Sequence, residues 1–466
     1  MFRILMLREL LDNLQSARFV IIFLMCSVLV LLSLVIGTHD FNLAQKQYED
    51  SVAQMHETTR QQVSYQALGI WGLYKVYRPP SSLMAFAKGV DESVGTNATV
   101  SIVQEPKLQD SLLSVEPVYA QFSAFDFNFV VRVVVALFAM MLTFDVINSE
   151  KEVGTLKLLL SHPVPRAQLI LAKLAGSMAT LLLPLLLPML IGILAIVMTG
   201  NFHWRNDDWL RLALIVGSSV LYLAIFSALG VMVSCLVSKP SNALLVSVLF
   251  WLVFIWVVPS LSLYGATLAT DLPSAHTIEG QKWEIDRQRY KDSITVQQRW
   301  LQEHPGTADV PMDVQSKLVG DLQNEVKKKK ARIDETYAAQ VQHRNQMITW
   351  MSRLSPSAAF ENIILVLTAT DLARQERFIG EVKQYRNVFQ GFVGEKMMAE
   401  RREQLEGKDQ AVPSNLDLDG LPEFRAPMAS LMEDMGRLAP DITVLLLYLL
   451  AFCLTGYRVF LNYEVS

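Results

Sequence analysis

Charge is scarce in this sequence. Only 18% of its 466 residues are Asp, Glu, Lys or Arg, whereas 52% are hydrophobic, and the mean hydropathy is +0.29. An ordinary soluble chain carries nearer a quarter charged residues, so the apolar surplus has to be placed in lipid. The net charge of -4 lacks the basic footprint that phosphate neutralisation requires, which excludes nucleic acid as a partner. Cysteine is scarcer still. Cys26, Cys235 and Cys453 all fall inside apolar runs, where they read as small buried hydrophobes, and no cysteine remains outside those runs to report on compartment.

Other chemistry is missing too. ATP hydrolysis needs a glycine-rich phosphate loop ending in Gly-Lys-Ser/Thr. Gly407-Lys408-Asp409 lacks both the upstream glycine and the hydroxyl. His39, His56, His162, His203, His276, His304 and His343 are scattered, with no pair at metal-ligand spacing. The 19 methionines read as packing rather than as a soft-metal path. Neither a metal, a cofactor nor a catalytic constellation is expected in the chain itself.

Six apolar runs are present, each long enough for a hydrocarbon core that takes about 20 helical residues. They lie at 19–36, 127–147, 168–199, 209–237, 242–263 and 441–457. The first is read as a retained span, because an amphipathic stretch precedes it and no small-residue cleavage site follows Gly37-Thr38-His39-Asp40. The expected fold is an α-helical integral membrane protein with six transmembrane helices. Two large outer regions, 37–126 and 264–440, complete it.

Orientation follows from Lys and Arg in the short connections. With the N-terminus inside, the inner pieces hold Arg3, Arg8, Arg18, Lys151, Lys157, Arg166, Lys239 and Arg458, and the short outer loop 200–208 holds only Arg205. Both termini, 1–18 as an interfacial helix and 458–466 as a tail, are therefore expected in the cytoplasm. The long second outer region is exempt from the count despite its Lys327-Lys328-Lys329-Lys330 run.

From about Pro273 to Met351, polar sequence with apolar residues at helical spacing, broken at His304-Pro305-Gly306-Thr307, predicts a long helical hairpin. Its four lysines read as a solvated helix face. Residues 403–427 have loop composition. In 37–126, Trp71, Tyr74, Tyr77 and Phe86 can form a small core and 98–103 reads as a strand, without a fold being assignable.

Charges inside the runs are few. Asp145, Lys173 and Arg211 stand near run ends, where snorkelling to the interface is the expectation. Arg132, beside Asp126 and Asn128, can line a substrate exit. Pro184 and Pro188 are expected to bend the third run, and Pro259 the outer end of the fifth.

The loop between the second and third runs, 148–167, carries the most specific signal. Leu156, Leu159 and Leu160 share a helical face, with Ser149, Glu150, Glu152 and Lys157 elsewhere, and Pro163 and Pro165 end the piece before Arg166. An acidic residue two before Gly-Thr, a leucine-rich turn, a proline and a basic residue leading into a span resemble the hallmark of ABC-2 type permeases. Glu152-Val153-Gly154-Thr155-Leu156 with Pro163 and Arg166 follows that pattern. The amphipathic start, Arg3 to Gln15, is similar to that family's interfacial helix. Ser355-Pro356-Ser357-Ala358-Ala359-Phe360-Glu361 with Thr370-Asp371-Leu372-Ala373-Arg374 looks like a subgroup with an enlarged outer region between the fifth and sixth spans.

The resemblance implies a permease subunit whose second and fifth spans line the path and which exports by alternating access. Its inner loop, Glu150, Glu152, Gly154, Thr155, Leu156, Lys157, Pro163 and Arg166, would be the coupling helix that docks on an ABC ATPase dimer. ATP and Mg would be bound by that partner. A second permease chain, identical or sister, would complete the assembly in a bacterial inner membrane. The alternative from the residues alone is a non-transporting membrane anchor or signalling protein whose outer domains bind an envelope partner. A membrane-embedded enzyme would need paired polar groups in the spans, and none is apparent.

Overall fold

Apolar runs in lipid become helices because every backbone N–H and C=O must find its partner within the segment. The computed structural model describes residues 2–62, 64–70, 73–90, 95–103, 105–106, 108–109, 125–161, 165–198, 204–305, 309–405, 416–426 and 430–462. The chain divides into two units, Met1–Ile255 with Pro356–Ser466, and Trp256–Ser355.

The first unit opens with α1 (Phe2–Leu14) and α2 (Ala17–Arg60). The Ser16 hydroxyl caps α2 by accepting the Phe19 N–H at 3.2 Å. Then follow α3 (Tyr65–Ile70), β1 (Tyr74–Tyr77), β2 (Asn97–Val100) and β3 (Leu108–Gln109). Next come α4 (Phe127–Met141), α5 (Asn148–Val153), α6 (Thr155–Ser161), α7 (Arg166–Met198) and α8 (Asn206–Leu236). The helix α9 (Pro240–Ala269) contains the division between the units. The second unit continues with α10 (Ala275–Glu303) and α11 (Met312–Ser352), and the first resumes with α12 (Pro356–Leu367), α13 (Leu372–Leu405) and α14 (Leu431–Leu461).

Among the described residues, α2, α7, α8, α9 and α14 are long and apolar enough to cross a membrane, and α4 is a shorter apolar helix. The molecule is thus a multi-pass α-helical membrane protein. The run expected as one crossing over 127–147 changes character after Met141, where turns replace regular helix. The Ile147 and Asn148 N–H groups donate to the Ser234 hydroxyl at 2.9 and 3.1 Å instead of continuing the helical ladder. α7 runs unbroken through Pro184 and Pro188.

Val130–Val135 in the middle of α4 is wound as π-helix, a geometry that leaves carbonyls open to other donors. Two of them are used. The Tyr222 hydroxyl donates to the Arg132 carbonyl at 2.8 Å and the Trp251 indole N–H to the Val133 carbonyl at 3.0 Å. Tyr222 itself is fully buried and stacks on Phe360 with centroids 4.3 Å apart. The main core therefore gathers α2, α4, α7, α8, α12 and α14 around these aromatic rings.

A second core lies in the same unit. β1, β2 and β3 form an antiparallel sheet, with Tyr74 opposite Val100 and Asn97 opposite Gln109. Helix α13 covers it with Phe378, Val382, Tyr385, Phe389 and Val393. The Arg386 side chain donates to the Ser101 carbonyl at 2.8 Å and the Ile102 carbonyl at 3.0 Å. Sequence from the two expected outer regions thus folds into one small domain. The strand expected over 98–103 is β2, and Tyr74 and Tyr77 join this core while Phe86 joins the main one. Trp71 lies outside the described residues. The expected loop over 403–427 includes the end of α13, and its described residues 416–426 contain neither helix nor strand.

The second unit is the predicted hairpin. Lys282 meets Asp334 at 2.5 Å and Asp286 meets Lys330 at 2.6 Å. The partners advance in opposite directions along α10 and α11, so the helices are antiparallel. Met351 near the end of α11 packs against Gly265 of α9.

Candidate functional site

Gly154 sets the local shape of the inner loop. With φ +81° and ψ 0° it stands in the left-handed region, which costs a residue with a Cβ about 1–2 kcal/mol. The stretch expected as one short helix is therefore two, α5 and α6, turned against each other at this glycine.

Four anchors fix the pair to the bundle. Ser234 of α8 takes the amides that lead into α5, as described above. The Lys151 ammonium, pushed below the usual lysine range by burial, donates to the Cys235 carbonyl at 3.2 Å. Leu156 is 1% exposed, packed with Ile147, Leu169, Ile170, Val231 and Phe460. Arg166 donates to the Phe460 and Leu461 carbonyls in the last turn of α14 at 3.2 and 2.6 Å.

Beneath α5, Lys173 of α7 bridges two carboxylates, Glu150 at 2.8 Å and Glu9 of α1 at 3.0 Å. Burial raises the Glu9 carboxyl above its ordinary range, and the Lys173 charge pulls it back down only in part. Helix α1 comes this close because residue 176 is glycine: a Cβ there would lie 2.7 Å from Glu9 Cβ and 3.0 Å from the Met6 carbonyl oxygen. The amphipathic start of the chain is thus part of the site's foundation.

The other face of the loop is open. Glu152, Gly154, Thr155 and Lys157 are exposed, and Val153 and Leu158 are 75% and 67% exposed. Two large apolar side chains thus stand out on this side, with Glu152 and Lys157 also exposed there.

A family model described as an ABC-2 family transporter protein matches residues 3–465. The chain belongs to the ABC-2 transporter family. As a permease of an ABC transporter it is a membrane component, and ABC-2 permeases normally work with an ATPase subunit. No curated protein matches the chain.

In this ABC-2 permease, the residues singled out in sequence divide by face. Glu152, Gly154, Thr155 and Lys157 lie on the open side, whereas Glu150, Leu156 and Arg166 face the bundle and hold it. Pro163, with His162, lies outside the described residues. Val153 and Leu158 were missed. Their signal was apolarity in a polar surface loop, hidden because a single helical wheel drawn through Gly154 assigns them no common face.

The charges singled out in and beside the apolar runs all have protein partners. Asp126 is a helix cap: its Oδ1 accepts the Phe129 N–H at 2.7 Å and its Oδ2 the Lys88 N–H at 3.2 Å. Arg132 is ion-paired with Glu361. Each of the three residues read as snorkelling has a protein ion-pair partner within reach. Asp145 pairs with Arg18, Lys173 with its two glutamates, and Arg211 with Asp434 at 2.7 Å, where the two side chains are 6% and 2% exposed. Arg211 also donates to the Val366 and Leu367 carbonyls at 3.3 Å, while Arg437 and Arg377 approach the other Asp434 oxygen at 3.3 and 3.7 Å. Arg437 reaches on to Asp371.

Proposed function

We propose that this permease is the membrane-spanning subunit of an exporter driven by a separate ABC ATPase, which binds ATP and Mg and docks on the open face of α5 and α6. The observation that carries the reading is the division of the loop into a face anchored by Lys173, Ser234 and Arg166 and a face exposing Val153 and Leu158. A push on such a loop moves α1, α7, α8 and α14 together, because each contributes an anchor. Two permease chains around a shared path, with α4 and α9 lining it, would convert that push into alternating access. In this reading α4 and the turns after it complete a sixth crossing, both termini are cytoplasmic and the host membrane is a bacterial inner membrane.

Affinity purification of the full chain from its native host in mild detergent, with mass spectrometry and an ATPase assay on the eluate, tests the reading. A stoichiometric ABC ATPase is expected to copurify. Val153→Glu with Leu158→Glu should weaken its retention roughly a hundredfold, about 1.5 kcal/mol for each apolar side chain no longer buried. An eluate without ATPase would turn the reading to the anchoring or signalling alternative.

A further inference from the structure

Within the second unit, α10 and α11 enclose a groove of about 520 Å³, a volume in the range of small-ligand sites. Its floor is apolar, built from Ile278, Ile285, Ile333 and Tyr337, and its basic lining residues are Lys329 and Arg332. Among the described residues, no acidic side chain lines it. The acids that face across the hairpin are already engaged, Asp334 by Lys282 and Asp286 by Lys330. Glu284, in the adjoining hollow, is held by Arg287. Neither the Lys329 nor the Arg332 side chain has an ion-pair or hydrogen-bond partner among the described residues.

The four lysines differ in what they stand beside. Lys330 closes the hairpin, whereas Lys327, Lys328 and Lys329 are all exposed and, of these three, Lys329 lines the groove. At 1.5 Å per helical residue, Lys329 stands roughly 30 Å along α11 from Met351, which packs on Gly265 of the apolar α9. The groove is therefore remote along α11 from the point where the hairpin meets that apolar helix.

We propose that this groove binds one anionic lipid outside the bilayer, its acyl chain on the isoleucine floor and its phosphate on Lys329 and Arg332. Charge complementarity selects the head, and the apolar strip between the helices selects the chain. The proposal stands independently of ATPase coupling.

Native mass spectrometry of the full chain in neutral maltoside detergent provides the test, with phosphatidylglycerol or phosphatidylcholine of identical chains as the probe. Retained phosphatidylglycerol should exceed phosphatidylcholine. Lys329→Glu with Arg332→Glu should lower its affinity roughly thirtyfold, at about fivefold per residue. Lys327→Glu with Lys328→Glu, which changes net charge equally, should leave it unchanged. Circular dichroism checks that both variants keep the hairpin helical, and Lys329→Gln with Arg332→Gln, expected to fall in the same direction, replaces the first variant if it does not. Equal loss in both charge pairs, displacement by millimolar inorganic phosphate, no preference over phosphatidylcholine, or dissociation of a dimer in place of lipid release would each overturn the proposal.

Discussion

Two buried ion clusters in the first unit of this permease do different work. Around Lys173, a single ammonium holds two glutamates, and the helices it joins to α7 are the 13-residue α1 and the 6-residue α5. Around Asp434, a single carboxylate gathers Arg211, Arg377 and Arg437, joining α8, α13 and the start of α14. The second cluster is a surplus of cations on one acid, tied further to the end of α12 through two carbonyls. It locks long elements to one another. The first positions short elements whose outer face stays exposed.

Removing the hub of the locking cluster should have the largest effect. Asp434→Ala leaves the nearly inaccessible Arg211 guanidinium without its counter-charge, and losing one partner of a buried pair costs about 3–5 kcal/mol. Unfolding followed by titration with a denaturing detergent should show a loss of that order. A change within experimental error would mean that Arg377, Arg437 and the two carbonyls already carry the join.

Neither cluster was legible in the sequence, and the reason is separation along the chain. The runs that become α2, α7, α8, α9 and α14 announce themselves, because lipid demands about 20 contiguous apolar residues. Arg211 and Asp434 stand 223 positions apart, so each looks like an isolated charge near the end of an apolar run, for which water is the default partner. The same blindness separated Tyr74 and Val100 from Phe378 and Phe389, which fold as one domain. By contrast, the loop motif was found at once because its residues are contiguous. What the motif did not reveal was which of them face inward, since Gly154 turns α6 out of line with α5.

The same substitution logic applied to the other hub sharpens the contrast. Lys173→Met removes one partner from both Glu9 and Glu150, and losing hydrogen bonds to charged groups of this kind costs about 2–3 kcal/mol. The loss should be smaller than for Asp434→Ala because both glutamates are less fully buried, with side chains 15% and 24% exposed. It should also be local. Limited proteolysis is expected to cut near α1 and the loop 148–161 while α14 stays protected. Uniform susceptibility along the chain would show that the Lys173 cluster locks the whole unit as the other does.

The smallest effect is expected at Gly154, and it separates shape from contact. A Cβ at this position meets nothing within 4 Å, so the only penalty on Gly154→Ala is the left-handed backbone. That penalty is about 1–2 kcal/mol and falls on the α5–α6 junction alone. Asparagine visits the same backbone region readily, so Gly154→Asn should recover most of the loss although its side chain is larger. Amide hydrogen exchange over residues 148–161 reads both variants: faster exchange is expected for alanine, and a rate near that of the parent for asparagine. Equal rates in the two variants would mean that side-chain bulk rather than backbone geometry governs this loop, and that the open face of Val153 and Leu158 is not set by the turn at residue 154.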